Sequence, residues 1–161
     1  MKNTLRVFIS VLCLSLIAAC SKDDPSPTPP TPTPLVSDLI KKVWSASNIQ
    51  WDGNVQYDKT ATSNLVAGYA QFKLDLTSSS SVSLTEYDGN KFTGTYSLSS
   101  DNKTLTLSNL KTSDGTEPTG TGGTLAFTIS GVPTASSLVI ESTTAYVKAS
   151  NKKIRLSLVN P

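Results

Sequence analysis

Val82-Ser83-Leu84-Thr85-Glu86-Tyr87-Asp88-Gly89-Asn90-Lys91-Phe92-Thr93-Gly94-Thr95-Tyr96-Ser97-Leu98 reads as a strand, a turn and a second strand. Val82 and Leu84 alternate with Ser83 and Thr85, while Phe92, Tyr96 and Leu98 share one phase with Gly94. Successive side chains of a strand point to opposite faces, so this period places one face against a core and the other in water. A strand with one dry and one wet face belongs to an antiparallel sheet. Asp88-Gly89-Asn90, between the two runs, accepts the positive φ of a tight hairpin. Threonine and tyrosine suit the pleated surface on either side.

The same alternation extends in both directions. Ala70, Phe72, Leu74 and Leu76 are set against Gln71, Lys73 and Asp75. Leu105 and Leu107 follow the hairpin, then Leu125, Phe127 and Ile129, then Leu138 and Ile140. Ile154, Leu156 and Leu158 close the chain. Short turns separate these runs at Ser99–Lys103, Gly131–Pro133 and Ser150–Lys152. Ahead of them, Val36, Leu39, Ile40 and Val43 stand at i, i+3, i+4 and i+7, the spacing of one short helical turn. The expected fold is all-β: an antiparallel up-and-down meander of about eight strands closed as a barrel, with a β-sandwich as the alternative. Closure removes exposed edges and is physically favoured.

The residues available exclude several chemistries. The chain has no histidine, which removes a Ser-His-Asp triad, a Cys-His pair and the usual zinc sites. Gly120-Thr121-Gly122-Gly123 lacks the lysine of a phosphate-binding loop. Asp52-Gly53-Asn54, Asp88-Gly89-Asn90 and Asp114-Gly115-Thr116-Glu117 lack the full ligand spacing of a calcium loop and read as turns. No metal site and no cofactor is expected. Glu86, in phase with Val82 and Leu84, is the one candidate for acid–base work, and a register break at Tyr87-Asp88 is expected to leave it wet. The expectation is a non-enzymatic protein. The 14 basic and 12 acidic residues include Lys2 and Arg6 near the start. There is no basic field for phosphates, so nucleic acid is not an expected partner.

The first residues carry the three parts of an export signal: Lys2 and Arg6, the apolar run Val7–Ile17, and the small residues Ala18 and Ala19. The run is shorter than the roughly 20 apolar residues that span a bilayer. Leu16-Ile17-Ala18-Ala19-Cys20 resembles a bacterial lipobox, with Ile17 where leucine is commoner. That resemblance implies cleavage between Ala19 and Cys20, a diacylglycerol on the Cys20 sulfur and a further acyl chain on its amine. Two or three chains hold a protein firmly where one binds only marginally. Cys13 would be lost with residues 1–19, leaving the mature domain without a free thiol or a disulfide. Ser21-Lys22-Asp23-Asp24 is similar to the acidic surface-export signal of Bacteroidota lipoproteins and implies an outer-membrane protein facing the cell exterior, with a periplasm-facing outer-membrane protein as the alternative. From Pro25 to Pro34 the chain alternates proline with serine and threonine. Proline excludes helix and interior strand, so residues 20–34 are read as the lipidated cysteine and a polyproline stalk of roughly 30 Å. Residues 35–161 form the β domain.

Val43-Trp44 after a short helical turn, then Asn48-Ile49-Gln50-Trp51-Asp52-Gly53 and the meander, resemble the lipocalin-like domains of small Bacteroidota lipoproteins. In such barrels an early tryptophan packs across the closed end, the position Trp44 occupies. Lys42 stands where the usual glycine would be, two places earlier. The resemblance implies an apolar interior open at one end, with Phe72, Tyr96 and Phe127 as candidate ligand contacts inside it. Trp51, a turn-proximal aromatic, is a fourth candidate and a potential sugar platform.

Two functions follow. In the first, the barrel binds a small apolar or amphiphilic molecule beneath Lys111–Gly123, a segment long enough to be a mobile lid. In the second, a filled core supports a glycan- or protein-interaction module, with contacts from exposed aromatics such as Tyr57 or Tyr87. A cavity on the order of a few hundred Å³ marks the first and dense packing the second. The anchor is tested separately: Cys20→Ala should abolish metabolic acyl labelling and release the protein from membranes. Unchanged membrane retention would remove the lipidation reading.

Overall fold

The structure, a computed structural model, describes residues 34–161. The leader, Cys20, Ser21–Asp24 and the proline-rich stretch through Thr33 lie outside the described residues. After the helical turn α1 (Val36–Leu39) come nine strands. They are β1 (Val43–Trp51), β2 (Asn54–Asp58), β3 (Lys73–Asp75), β4 (Ser81–Thr85), β5 (Lys91–Leu98), β6 (Thr104–Lys111), β7 (Leu125–Ile129), β8 (Ser137–Ser142) and β9 (Ile154–Val159). From β3 to β9 each strand pairs antiparallel with the next, and β1 pairs with both β3 and β9. That closes a barrel of eight staves and sets the sandwich alternative aside. The ninth strand, β2, is a hairpin extension. β1 gives Val43–Ser45 to β3 and Asn48–Trp51 to β2, so the two share one flank of β1.

The alternation read from the sequence faces the barrel interior as expected. Leu74, Leu76, Val82, Leu84, Phe92, Leu105, Leu107, Leu138, Ile140, Leu156 and Leu158 are all buried. Ala70 departs from its run: it lies exposed in a 3-10 helix, Ala67–Gln71, that precedes β3. Two irregularities bend the staves. In β1 the register against β9 shifts between Ala46 and Asn48, which keeps Ala46 and Ile49 both inside, although they are three residues apart. In β6 the register against β5 shifts between Thr93 and Thr95, Asn109 takes φ +54°, and Leu110 turns inward. One extra residue on one strand is how a sheet turns a corner. Gly94 lies opposite that bulge, where a Cβ would sit 2.4 Å from the Ser108 carbonyl oxygen.

One end of the barrel is sealed by α1. Trp44 is fully buried, and its indole N–H donates to the Ile40 carbonyl at 2.8 Å, joining the first stave to the end of the helical turn. Ile40 is itself fully buried beside it. Lys42, in place of the expected glycine, reaches across to donate to the Ala135 carbonyl at 2.6 Å in the β7–β8 loop. Asn160 donates to the Val43 carbonyl and ties the chain's last residues to the start of β1. The opposite end carries the β1–β2 hairpin, the β4–β5 turn, the long β6–β7 loop and the irregular β8–β9 connection.

Two substitutions test this arrangement. Trp44→Ala should cost about 3–5 kcal/mol, a fall in melting temperature of roughly 10–20 °C for a domain of this size. Gly94→Ala forces a side chain against backbone and should cost about 1–3 kcal/mol, readable in a urea titration. A Gly94→Ala midpoint equal to the parent's would remove the role given to the bulge.

Candidate functional site

At the end opposite Trp44 the barrel holds an internal cavity of about 40 Å³. Its floor is apolar: Phe72, Leu84, Leu125, Phe127, Ile154 and Leu156. Tyr69, Tyr87, Tyr146, Glu86 and Ser142 complete the lining. That volume holds about three water molecules and is far below the few hundred Å³ of an ordinary ligand pocket. The rest of the barrel axis is occupied by buried side chains such as Trp44, Leu105, Leu107, Ile140 and Leu158.

Phe72 and Phe127 line this cavity. Trp51 stands over it in a second layer: its indole N–H donates to the Tyr69 hydroxyl at 3.0 Å, and its ring lies 6.5 Å from that of Tyr87. Tyr69 is the hub of that layer, 5.0 Å from Tyr87 and 6.3 Å from both Tyr57 and Phe72. Tyr96 belongs to the other end of the molecule. Its hydroxyl donates to the Ser78 carbonyl at 2.7 Å in the β3–β4 turn, so it is not brought together with the other three candidates. Tyr57 and Tyr87 are not free aromatics of the outer face. Tyr57 is buried against Tyr69, and half-buried Tyr87 donates its hydroxyl to the Lys148 carbonyl at 2.8 Å.

Glu86 is the main departure from expectation. The alternation of β4 runs one residue beyond its last paired position, and Glu86 points inward with only 3% of its surface exposed. A carboxylate there needs partners, because an unpaired buried charge is very costly. It has two: the Tyr146 hydroxyl donates to Oε1 and the Lys148 ammonium to Oε2. Lys148 also donates to Asp88 Oδ2 at 2.6 Å and lies 5.8 Å from the Phe92 ring centroid. Both partners come from the β8–β9 connection, where Val147–Ala149 forms a short 3-10 helix. The electrostatics follow the geometry. Burial, reinforced by the hydrogen bond to Glu86, pushes the Tyr146 hydroxyl far above its ordinary range, so it is a permanent donor. Burial opposes the charge on Lys148, but the hydrogen bonds to Asp88 and Glu86 outweigh it and raise its pKa. Burial opposes ionisation of Asp88 as well, and the contact with Lys148 prevails and lowers its pKa.

The surrounding turns fix this cluster in place. Gly89 and the Asp88 side chain close the β4–β5 turn, with Asn90 N donating to Asp88 Oδ1. The 3-10 helix before β3 docks on the same turn through Gln71, which donates to the Tyr87 carbonyl at 2.7 Å. The segment Lys111–Gly123, expected to be a mobile lid, is a series of hydrogen-bonded turns. Thr112 accepts from Thr116, Pro118 is buried, and Gly120 packs on Val147. It buttresses the Val147–Ala149 turn and does not itself cover the cavity. Tyr146 and Lys148 escaped sequence reasoning because they lie in a stretch with neither helical nor strand period. The phase of Glu86 was the available signal.

Among solved structures the chain is similar to a lipocalin-like protein from Bacteroides uniformis ATCC 8492. The TM-score is 0.50 at 15% sequence identity, covering 76% of this chain and 99% of that one. At that identity the likeness concerns the fold, and it agrees with the closed antiparallel barrel: the chain has a lipocalin-like fold. No family model matches the chain, and no curated protein matches it closely enough to count as a relative.

The cluster predicts a double-mutant cycle. Lys148→Met strands Glu86 and should cost about 3 kcal/mol; adding Glu86→Gln should recover part of that, with a coupling of about 1–3 kcal/mol. The pH dependence has two limbs. Asp88, whose pKa is lowered on folding, contributes stability above the ordinary carboxylate range, lost as pH falls through its depressed value. Lys148, whose pKa is raised, contributes stability below the ordinary lysine range, lost as pH rises through its elevated value. Melting temperatures across pH should show both limbs in the parent, and Lys148→Met should weaken the alkaline one, leaving the part contributed by the Tyr69 and Tyr146 hydroxyls, whose pKa values are also raised.

Proposed function

We propose that this chain is a lipid-anchored, non-enzymatic binding module of the outer membrane, displayed toward the cell exterior, which takes a small apolar or amphiphilic group into the end of its barrel opposite Trp44. The lipobox-like Leu16–Cys20 and the acidic Asp23-Asp24 support the anchor and its address. The observation that carries the binding reading is the cavity itself. Its lining, with Phe72 and Phe127 in the floor, is apolar, and Glu86 and Tyr146 beside it turn their polar ends toward each other, which supports a small apolar guest best. Its size, about that of three water molecules, admits even a single ring only if side chains at this end move aside. A long acyl chain or a porphyrin has no room along the filled axis.

A second reading, an interaction or glycan-binding module, is favoured by the dense core. It would use the outer face of β7 and β8, where Thr128, Ser130, Glu141, Thr143 and Lys153 border a groove of about 260 Å³. The two readings separate by titration. Benzyl alcohol and other single-ring probes should change Trp51 emission saturably, while palmitate and protoporphyrin should not. Silence across the single-ring probes, with binding on a glycan array, would exchange the first reading for the second.

A further inference from the structure

The stretch that joins β8 to β9 is built unlike the rest of the barrel mouth. Among the described residues, the backbone hydrogen bonds of residues 144–152 run only inside that segment. Tyr146 N donates to the Lys152 carbonyl, Ala149 N and Asn151 N to that of Tyr146, Ser150 N to that of Val147, and Lys152 N to that of Ala149. The segment is thus a folded turn in its own right, outside the β7–β8 and β8–β9 ladders. It is clamped at both ends. Thr143 N donates to the Ala126 carbonyl at 2.9 Å. Asp52 N donates to the Lys153 carbonyl at 3.0 Å, and the Asp52 carboxylate accepts from Lys153 N at 2.9 Å.

Between those clamps the segment is held by side chains. Tyr146 and Lys148 both reach Glu86, Lys148 also reaches Asp88, and the Tyr87 hydroxyl donates to the Lys148 carbonyl. Tyr146 and Ala149 are its buried side chains, and Val147 rests against Gly120. Of residues 144–152, Tyr146 alone lines the cavity. Swinging the segment outward about its clamps therefore breaks side-chain contacts, breaks no strand pairing, and withdraws one phenol ring from the cavity wall. A ring that leaves makes room for a ring that enters, which the closed space of about 40 Å³ does not offer.

We propose that residues 144–152 are a hinged strap across the mouth of the barrel, latched on Glu86, and that its outward swing, taking Tyr146 with it, is the step that admits a single-ring apolar guest. The inference rests on the binding reading above and supplies the route into that site. Full pairing of the latch belongs to this role. A strap whose side-chain bonds are all made is closed at rest, and a guest binds the fraction of molecules in which they are broken. Weakening the latch raises that fraction and tightens binding by the same factor.

The test exploits the absence of cysteine from residues 34–161. In the mature chain from residue 20, carrying Cys20→Ala, one thiol is introduced at a time: Ser142→Cys in the cavity wall, or Leu158→Cys, buried toward the Trp44 end. Local opening exposes the first alone, whereas global unfolding exposes both. An aromatic disulfide reagent should label Ser142→Cys about tenfold or more faster than Leu158→Cys. Adding Glu86→Gln with Lys148→Met cuts the ionic latch without stranding a buried charge. It should speed labelling of Ser142→Cys about tenfold and tighten benzyl alcohol binding, read from Trp51 emission, by a similar factor. The ratio between the two thiols is read with the latch intact, so it stands even if the latch variant folds poorly. Equal labelling of the two thiols would overturn the strap. Faster labelling of Ser142→Cys, with benzyl alcohol affinity unchanged by cutting the latch, would overturn the strap as the route of entry and leave the binding reading intact. Benzyl alcohol bound neither by the parent nor by the latch variant would overturn both.

Discussion

The ladder between β1 and β9 turns a strip of strands into a closed body. Without it the meander would end in two open edges, each a row of unpaired backbone groups at risk of pairing with another chain. The pairing runs from Ser45↔Val159 to Trp51↔Ile154, and the register shift at Ala46/Asn48 allows it to follow the barrel's curvature while Ala46 and Ile49 both stay inside. Trp44 and Ile40 can seal one end because β1 is held on both flanks. The aromatic layer of Trp51, Tyr69 and Tyr87 can assemble at the other end because the same strand delivers Trp51 there.

The two ends are built on different physics. At the Trp44 end the closure is apolar, and its polar contacts are single hydrogen bonds from Trp44, Lys42 and Asn160 to backbone carbonyls. At the far end a buried carboxylate organises its neighbours. Glu86 tolerates burial because an obligate donor, Tyr146, and a cation, Lys148, both reach it, and among the described residues no buried side-chain polar atom lacks a partner. Replacing such a network with hydrocarbon is often neutral or stabilising. The cluster therefore organises this end of the barrel without being a strong source of net stability.

The staves were legible because period two survives in almost every run: Val82, Leu84 and Phe92 or Leu138 and Ile140 could hardly sit otherwise. Trp44 was legible too, as a large aromatic just after a helical turn. What escaped depends on where period two is broken or extended. The bulges at Ser47 and Asn109 bring Ile49 and Leu110 inside against the count. Ala70 falls in a 3-10 helix because Gly68 and Gln71 dock that segment on the β4–β5 turn. Phase alone placed Glu86 inward, and its partners could not be foreseen, because Tyr146 and Lys148 are about sixty residues away in an aperiodic connection. Tyr96 shares its phase with Phe92, but phase carries no information about position along the barrel axis, and Tyr96 lies at the sealed end.

The closing ladder also sets the order of events in the molecule's life. Residues joined by it stand more than a hundred positions apart, at opposite extremes of the domain. Non-local pairing of this kind is slow to form, because loop entropy is lost before any contact compensates it. A chain emerging from its N-terminus can build hairpins as it goes, but it has no partner for the free flank of Val43–Trp51 until Ile154–Val159 is made. Closure of the barrel therefore waits on β9, and until that strand is made the hairpins already formed remain an open strip.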